Sequence, residues 1–247
     1  MLRAQAMHPS LLLVRAAHPR QALVTAVALG VAAAIAGRPL REVGLVAATV
    51  LVGQALLGWA DDLTDRERDT RRRADKPLAT GRLDPGTVWF ALTCAFLLVA
   101  PLAAPRPGSP SAPGAGDGRR AGAAYLALLA VSAVGDRFLH ARALSFVPWM
   151  ASFALYPVFL AYGGWAGVGS STPPTPVMVA LAAALGLGVH VLLALPGLVD
   201  DHEEGEKSFP MLVALRTGTP RLLLLAGAWT GLVVTAILIA GRTVGLT

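Results

Sequence analysis

One cysteine occurs in 247 residues, and because Cys94 lies inside an apolar run, no internal disulfide is possible and the redox compartment is left open. Charge is scarce as well. Asp, Glu, Lys and Arg make up 15% of the chain against 55% hydrophobic residues, with a mean hydropathy of +0.59, which excludes an ordinary soluble domain and describes a chain solvated largely by hydrocarbon. Regular polar–apolar alternation is missing, and continuous apolar runs exclude a transmembrane barrel, leaving helices as the only spanning form. A cleavable leader is not expected: residues 1–20, MLRAQAMHPSLLLVRAAHPR, interrupt a short apolar patch with Arg3, Arg15, Arg20 and two prolines, and read as an interfacial segment.

A spanning helix needs roughly 20 mostly apolar residues to cross ~30 Å of lipid. Such runs lie at 21–37, 43–60, 87–104, 121–135, 145–163, 176–199 and 221–241. The expected fold is therefore all-α: a polytopic membrane helical bundle of about seven spans, forming a single membrane domain over 1–247, with charged loops at 61–86 and 199–220. Segment 105–118, PRPGSPSAPGAGDG, has eight Pro or Gly in fourteen positions and reads as a flexible linker between spans.

The 21 basic residues are unevenly placed. Alternating spans put fifteen of them on the N-terminal side: Arg3, Arg15, Arg20, Arg66, Arg68, Arg71, Arg72, Arg73, Lys76, Arg82, Arg137, Arg142, Lys207, Arg216 and Arg221. The other six are Arg38, Arg41, Arg106, Arg119, Arg120 and Arg242. Excess positive charge marks the cytoplasmic face, so the N-terminus and both acidic loops are expected in the cytoplasm. The formal charge of +6 is then a topology signal, and no nucleic-acid partner is expected.

Residues 61–76, DDLTDRERDTRRRADK, carry twelve charged side chains in sixteen. Asp61, Asp65 and Asp69 recur every four residues, and at about 3.6 residues per turn they share one face if the preceding span continues as a helix. Clustered carboxylates repel unless a cation sits among them, either a neighbouring base or a divalent ion that takes oxygen ligands. Downstream Arg and Lys would supply charge for a phosphate. The plainer alternative is a mixed-charge loop that only orients the chain. A second acidic group weighs against it: Asp200, Asp201, Glu203 and Glu204 also follow an apolar span on the same side, with Lys207 close by. Two such groups at the mouth of a bundle form a metal–diphosphate clamp.

The stretch DDLTDRERD resembles the first aspartate-rich motif of the UbiA superfamily of intramembrane prenyltransferases, and RRADKPLATGRL resembles the segment after it. HVLLALPGLVDDHEEGEKSFPMLVALRTG is similar to the second motif, and VRAAHPRQAL to the approach to the first helix. The resemblance covers roughly residues 11 to 220. It implies an enzyme that binds an isoprenyl diphosphate through Mg2+, ionises it, and passes the prenyl cation to an acceptor within the lipid bilayer. It further implies Asp61, Asp65, Asp69 and Asp201 as Mg2+ ligands and catalytic residues, with Asp62, Arg73, Lys76, Asp200 and Lys207 contacting substrate. Asp61 stands where the family has Asn, Gly197 stands four before Asp201 where an Asp is usual, and family members typically have nine spans. Two other readings stay open: a terpene cyclase of the same type, and a catalytically silent membrane protein that binds a lipid diphosphate.

Among smaller features, Asp136 and His140 read as a solvated loop pair, and His190 as either a substrate contact or an interhelical hydrogen bond. Trp59, Trp149 and Trp165 read as an interfacial aromatic belt.

Overall fold

Proline opens four of the helices. Pro9, Pro19, Pro85 and Pro176 each occupy a first helical position, where the missing N–H would have had no intrahelical partner. The computed structural model describes residues 8–72, 75–103, 118–162 and 173–243, and all regular structure among them is helical. The helices are α1 (Pro9–Ala16), α2 (Pro19–Ile35), α3 (Leu40–Thr64), α4 (Arg66–Arg71), α5 (Pro85–Ala103), α6 (Gly118–Leu139), α7 (Phe146–Ala161), α8 (Pro176–Ala194), α9 (Leu198–Glu203), α10 (Phe209–Thr217) and α11 (Thr219–Thr243). A single 3-10 turn, Leu195–Gly197, joins α8 to α9.

Each of the seven apolar runs falls on a helix. Four segments are long and apolar enough to cross a membrane: Leu40–Thr64, Arg119–Leu139, Pro176–Glu203 and Thr219–Gly241. A fifth is the pair α1 and α2, which meet at 61° across a short break. Pro85–Val99 and Phe146–Ala161 are shorter apolar helices. Among the described residues the protein is thus all-helical, with four to five candidate membrane spans. The 105–118 linker lies almost wholly outside the described residues, as do Arg73 and Trp165.

Helix neighbours in sequence pack on each other, α2 on α3, α6 on α7 and α7 on α8, while α11 packs on α8 and α3 also touches α5 and α6. The main core joins Ala26 and Ala33 of α2, Val46 and Val50 of α3, Tyr125 and Leu128 of α6, and Tyr156 and Phe159 of α7. Outer faces stay apolar. Val24, Val27 and Val31 on α2 and Leu224, Leu232 and Ile239 on α11 are exposed, as suits lipid-facing surfaces.

Tyr125 shows how tightly α3 and α6 fit. Its hydroxyl donates to the Thr49 carbonyl at 3.0 Å, and a Cβ at Gly53 would lie 2.0 Å from the same hydroxyl oxygen. Gly53→Ala is therefore expected to displace the ring and cost about 1–3 kcal/mol of stability, as overpacking does. Adding Tyr125→Phe should recover part of that loss, both changes being read by thermal unfolding in detergent.

Candidate functional site

Four charged segments distant in sequence meet at one end of the bundle. Arg15 Nη2 donates to the Asp75 carbonyl at 2.8 Å and to Asp75 Oδ2 at 2.7 Å. His18 reaches Asp62, Arg68 donates to His140, and Arg72 reaches Asp201. The Lys207 N–H donates to the Ala141 carbonyl at 3.1 Å. The ends of α3, α6 and α8 and the α1–α2 corner therefore share one end of the bundle.

α3 brings Asp61 and Asp62 into its last turn, where the helix dipole disfavours negative charge, so cations have to gather around them. Lys76 does so: its Nζ lies 3.0 Å from Asp62 Oδ1, 2.9 Å from Asp69 Oδ2 and 3.8 Å from Asp61 Oδ2. Burial alone would favour the neutral amine, but these carboxylates outweigh it and push the Lys76 ammonium above its ordinary range. His18 approaches from the other side, with Nε2 at 3.1 Å from Asp62 Oδ1 and 3.8 Å from Asp61 Oδ2. Asp62 is 1% exposed, and its Oδ2 is buried without a hydrogen-bond partner. The segment bearing Lys76 is pinned by Arg15 and Arg82 on Asp75, whose carboxyl they hold below the usual range, and by the buried Pro77 and Leu78.

A second group lies beside the first. Arg72 Nε meets Glu204 Oε1 at 2.5 Å, and its Nη2 meets Asp201 Oδ1 at 3.0 Å. Arg68 reaches Asp201 and Glu204 at 3.6 Å and Glu206 at 3.3 Å. His140 Nδ1 faces the Asp136 carbonyl at 3.0 Å, and its Nε2 lies 3.6 Å from Glu206 Oε1. Two arginines from the first charged segment thus bridge three carboxylates of the second. A Cβ built on Gly197 would lie 3.9 Å from both Asp201 carboxylate oxygens, so an Asp at that position would sit against this same group.

No family model, curated protein or solved structure matches the chain.

Asp61, Asp62, Asp69 and Lys76 come together, and Asp201 joins the neighbouring arginine group. Asp65 does not continue the expected face: α3 ends at Thr64, α4 starts at Arg66, and Asp65 occupies the break between them. It is half-buried; burial, then the Asp61 carboxylate, pushes its carboxyl above the ordinary range. Asp200 and Lys207 are exposed, Lys207 contributing its backbone at this end. Asp136 lies within α6, not in a loop, and its electrostatic neighbours are Asp61 and Asp65.

His18, Arg68, Arg72, His140 and Glu206 escaped the sequence reading as site residues. His190 makes an interhelical hydrogen bond to Ser145 Oγ at 2.9 Å and stacks on Trp149. Trp59, expected in an aromatic belt, donates to the Leu13 carbonyl at 2.9 Å and ties α1 to α3.

Proposed function

We propose that the chain is a membrane prenyltransferase of UbiA type, which binds an isoprenyl diphosphate with Mg2+ and transfers the prenyl group to an acceptor. The observation that carries this reading is the meeting of the Asp61, Asp62 and Asp69 carboxylates with Lys76 at one end of an apolar bundle, beside Arg68 and Arg72. Carboxylate oxygens suit Mg2+, and Lys76 already holds a positive charge among them, so the residues fit a cation. The ion, when bound, would neutralise the diphosphate as it leaves.

Lys76 supplies a mobile ammonium that can turn from the carboxylates to a phosphate oxygen. Arg15 and Arg20 line an open recess of about 510 Å³ next to His18, adding positive charge where a headgroup would approach. The apolar helices accommodate the isoprenoid tail and keep water from the cation formed when the allylic C–O bond breaks. Within this proposal the bent α1–α2 pair, α5 and α7 complete seven crossings, and the basic end faces the cytoplasm.

A second reading is a silent lipid-diphosphate-binding protein. It is favoured by the engagement of Asp201, Glu204 and Glu206 with Arg68 and Arg72, which leaves the second acidic group charge-compensated without a metal. The deciding experiment is diphosphate release by purified protein in detergent from geranyl, farnesyl and geranylgeranyl diphosphates, with Mg2+ or with chelator. Release should require Mg2+ and fall at least tenfold in the isosteric Asp62→Asn, the scale of loss when metal-site groups are removed. Binding without release would select the silent protein, and hydrocarbon products without acceptor would select cyclisation.

A further inference from the structure

We propose that His18 is a ligand of a divalent cation held together with Asp61 and Asp62, giving a nitrogen-containing site that prefers first-row transition ions such as Mn2+ and Co2+ to Mg2+. The inference rests on reading these carboxylates as cation-holding and adds a ligand from a different helix. His18 Nε2 and one carboxylate oxygen each of Asp61 and Asp62 all lie within 4.8 Å of one another. Metal–ligand bonds of about 2.0–2.2 Å place adjacent ligands roughly 3 Å apart, and His18 Nε2 is 3.1 Å from Asp62 Oδ1 and 3.8 Å from Asp61 Oδ2.

The acidic pair alone would not make a site, but an orphaned buried oxygen within it points to a ligand. Asp62 is 1% exposed, and its Oδ2 is buried with no hydrogen-bond partner. The Lys76 ammonium lies 3.0 Å from Asp62 Oδ1 and 3.8 Å from Asp61 Oδ2, standing in for a cation at the same oxygens.

The placement of His18 is built, not incidental. It is the only non-glycine with positive φ among the described residues, at φ 50° and ψ 57°, in the left-handed region. The next residue is Pro19, which disfavours compact backbone in the residue before it, so the conformation is doubly costly and persists because its surroundings impose it. Those surroundings include Gly58, one turn before Asp61 and Asp62 on α3, where a Cβ would lie 2.8 Å from the Ala17 carbonyl carbon. Without a side chain at 58, the Ala17–His18 corner can press onto α3 and present the imidazole to the aspartates. Mg2+ prefers oxygen and keeps its waters, whereas first-row transition ions accept an imidazole nitrogen, Co2+ more strongly than Mn2+, so this ligand set shifts preference away from Mg2+.

The test uses the full chain in detergent, without substrate, and Mn2+ as the probe, followed by electron paramagnetic resonance. Wild type should bind Mn2+ with the hyperfine signature of a directly coordinated imidazole nitrogen. His18→Gln should lose that coupling and bind Mn2+ about tenfold more weakly, with a smaller change in Mg2+ competition, while His140→Gln keeps the coupling. Lys76→Met, which removes the competing ammonium, should bind Mn2+ more tightly, giving a second readout if His18→Gln folds poorly. Absence of Mn2+ binding, nitrogen coupling that survives in His18→Gln, or unchanged affinity in Lys76→Met would overturn the proposal. Mg2+-dependent diphosphate release with unaltered Mn2+ spectra in His18→Gln would sink the His18 ligand and keep the transferase. Imidazole-bound Mn2+ without release from any isoprenyl diphosphate would do the reverse.

Discussion

Arg72→Glu is expected to separate the two charged segments and, on the proposed function, to lower diphosphate release by one to two orders of magnitude while the bundle stays folded. Arg72 makes the shortest contacts between the segments, to Glu204 at 2.5 Å and Asp201 at 3.0 Å. Breaking a fully buried pair costs about 3–5 kcal/mol, and an exposed pair contributes about 0–1 kcal/mol. Side-chain exposures of 17% for Arg72, 13% for Asp201 and 32% for Glu204 place this group between those limits. A cost of about 2–3 kcal/mol follows, or roughly 30- to 140-fold in the population of joined segments. Trypsin should then cut after Lys207 much faster than in wild type, and the swap Arg72→Glu with Glu204→Arg should restore part of the protection. Unchanged cleavage would show that backbone contacts, such as Lys207 to Ala141, hold the segments alone.

Acid should mimic the loss in wild type. The Arg72 hydrogen bond holds the Glu204 carboxyl below the usual glutamate range; burial alone would raise that of Glu206, but His140, Arg68 and Arg72 together bring it below the range. A lowered folded-state value means that the stabilisation is complete above the unfolded value of 4.5 and is lost as pH falls through the folded value. Hydrogen exchange of 199–220, corrected for its intrinsic pH dependence, should therefore stay slow at neutral pH and accelerate only below about pH 4.5.

The helices were legible because continuous apolar runs need no partner to be recognised: all seven runs carry helices, though α6 extends to Leu139, past the run ending at 135. That extension turned Asp136 from an expected loop residue into a helical one near Asp61. The four-residue recurrence of Asp61, Asp65 and Asp69 predicts one helical face, but carboxylates at a helix C-terminus oppose the dipole, and the helix breaks at Asp65. Asp62, off that recurrence, is the most deeply buried of these aspartates, at 1% exposed against 8% for Asp69. Local spacing does not reveal its partner His18, 44 residues away, nor the pairing of Arg72 with Asp201 across 129 residues. One local signal went unused: the glycine in LLGWADD, a turn before the aspartates, marks a close backbone approach.

That glycine carries the second large prediction. Gly58→Ala should leave the helices in place and yet lower diphosphate release by about 100-fold, the scale associated with a misplacement of about 1 Å at a reacting centre. A Cβ at this position would lie 2.8 Å from the Ala17 carbonyl carbon, 2.9 Å from its oxygen and 3.2 Å from its Cα. These are backbone atoms and cannot rotate away, so the α1–α2 corner has to lift from α3. The corner carries His18, whose contact with Asp62 at 3.1 Å would be lost, while Trp59 and Arg15 keep α1 tethered through Leu13 and Asp75. The main core, formed by α2, α3, α6 and α7 farther along the bundle, is untouched, so thermal unfolding should change little compared with Gly53→Ala. Mn2+ binding should lose its imidazole coupling, as in His18→Gln, although every side chain of the site is still present. Normal release and wild-type Mn2+ spectra in Gly58→Ala would mean that the corner has slack, and that His18 is not held against the aspartates by the packing of α3.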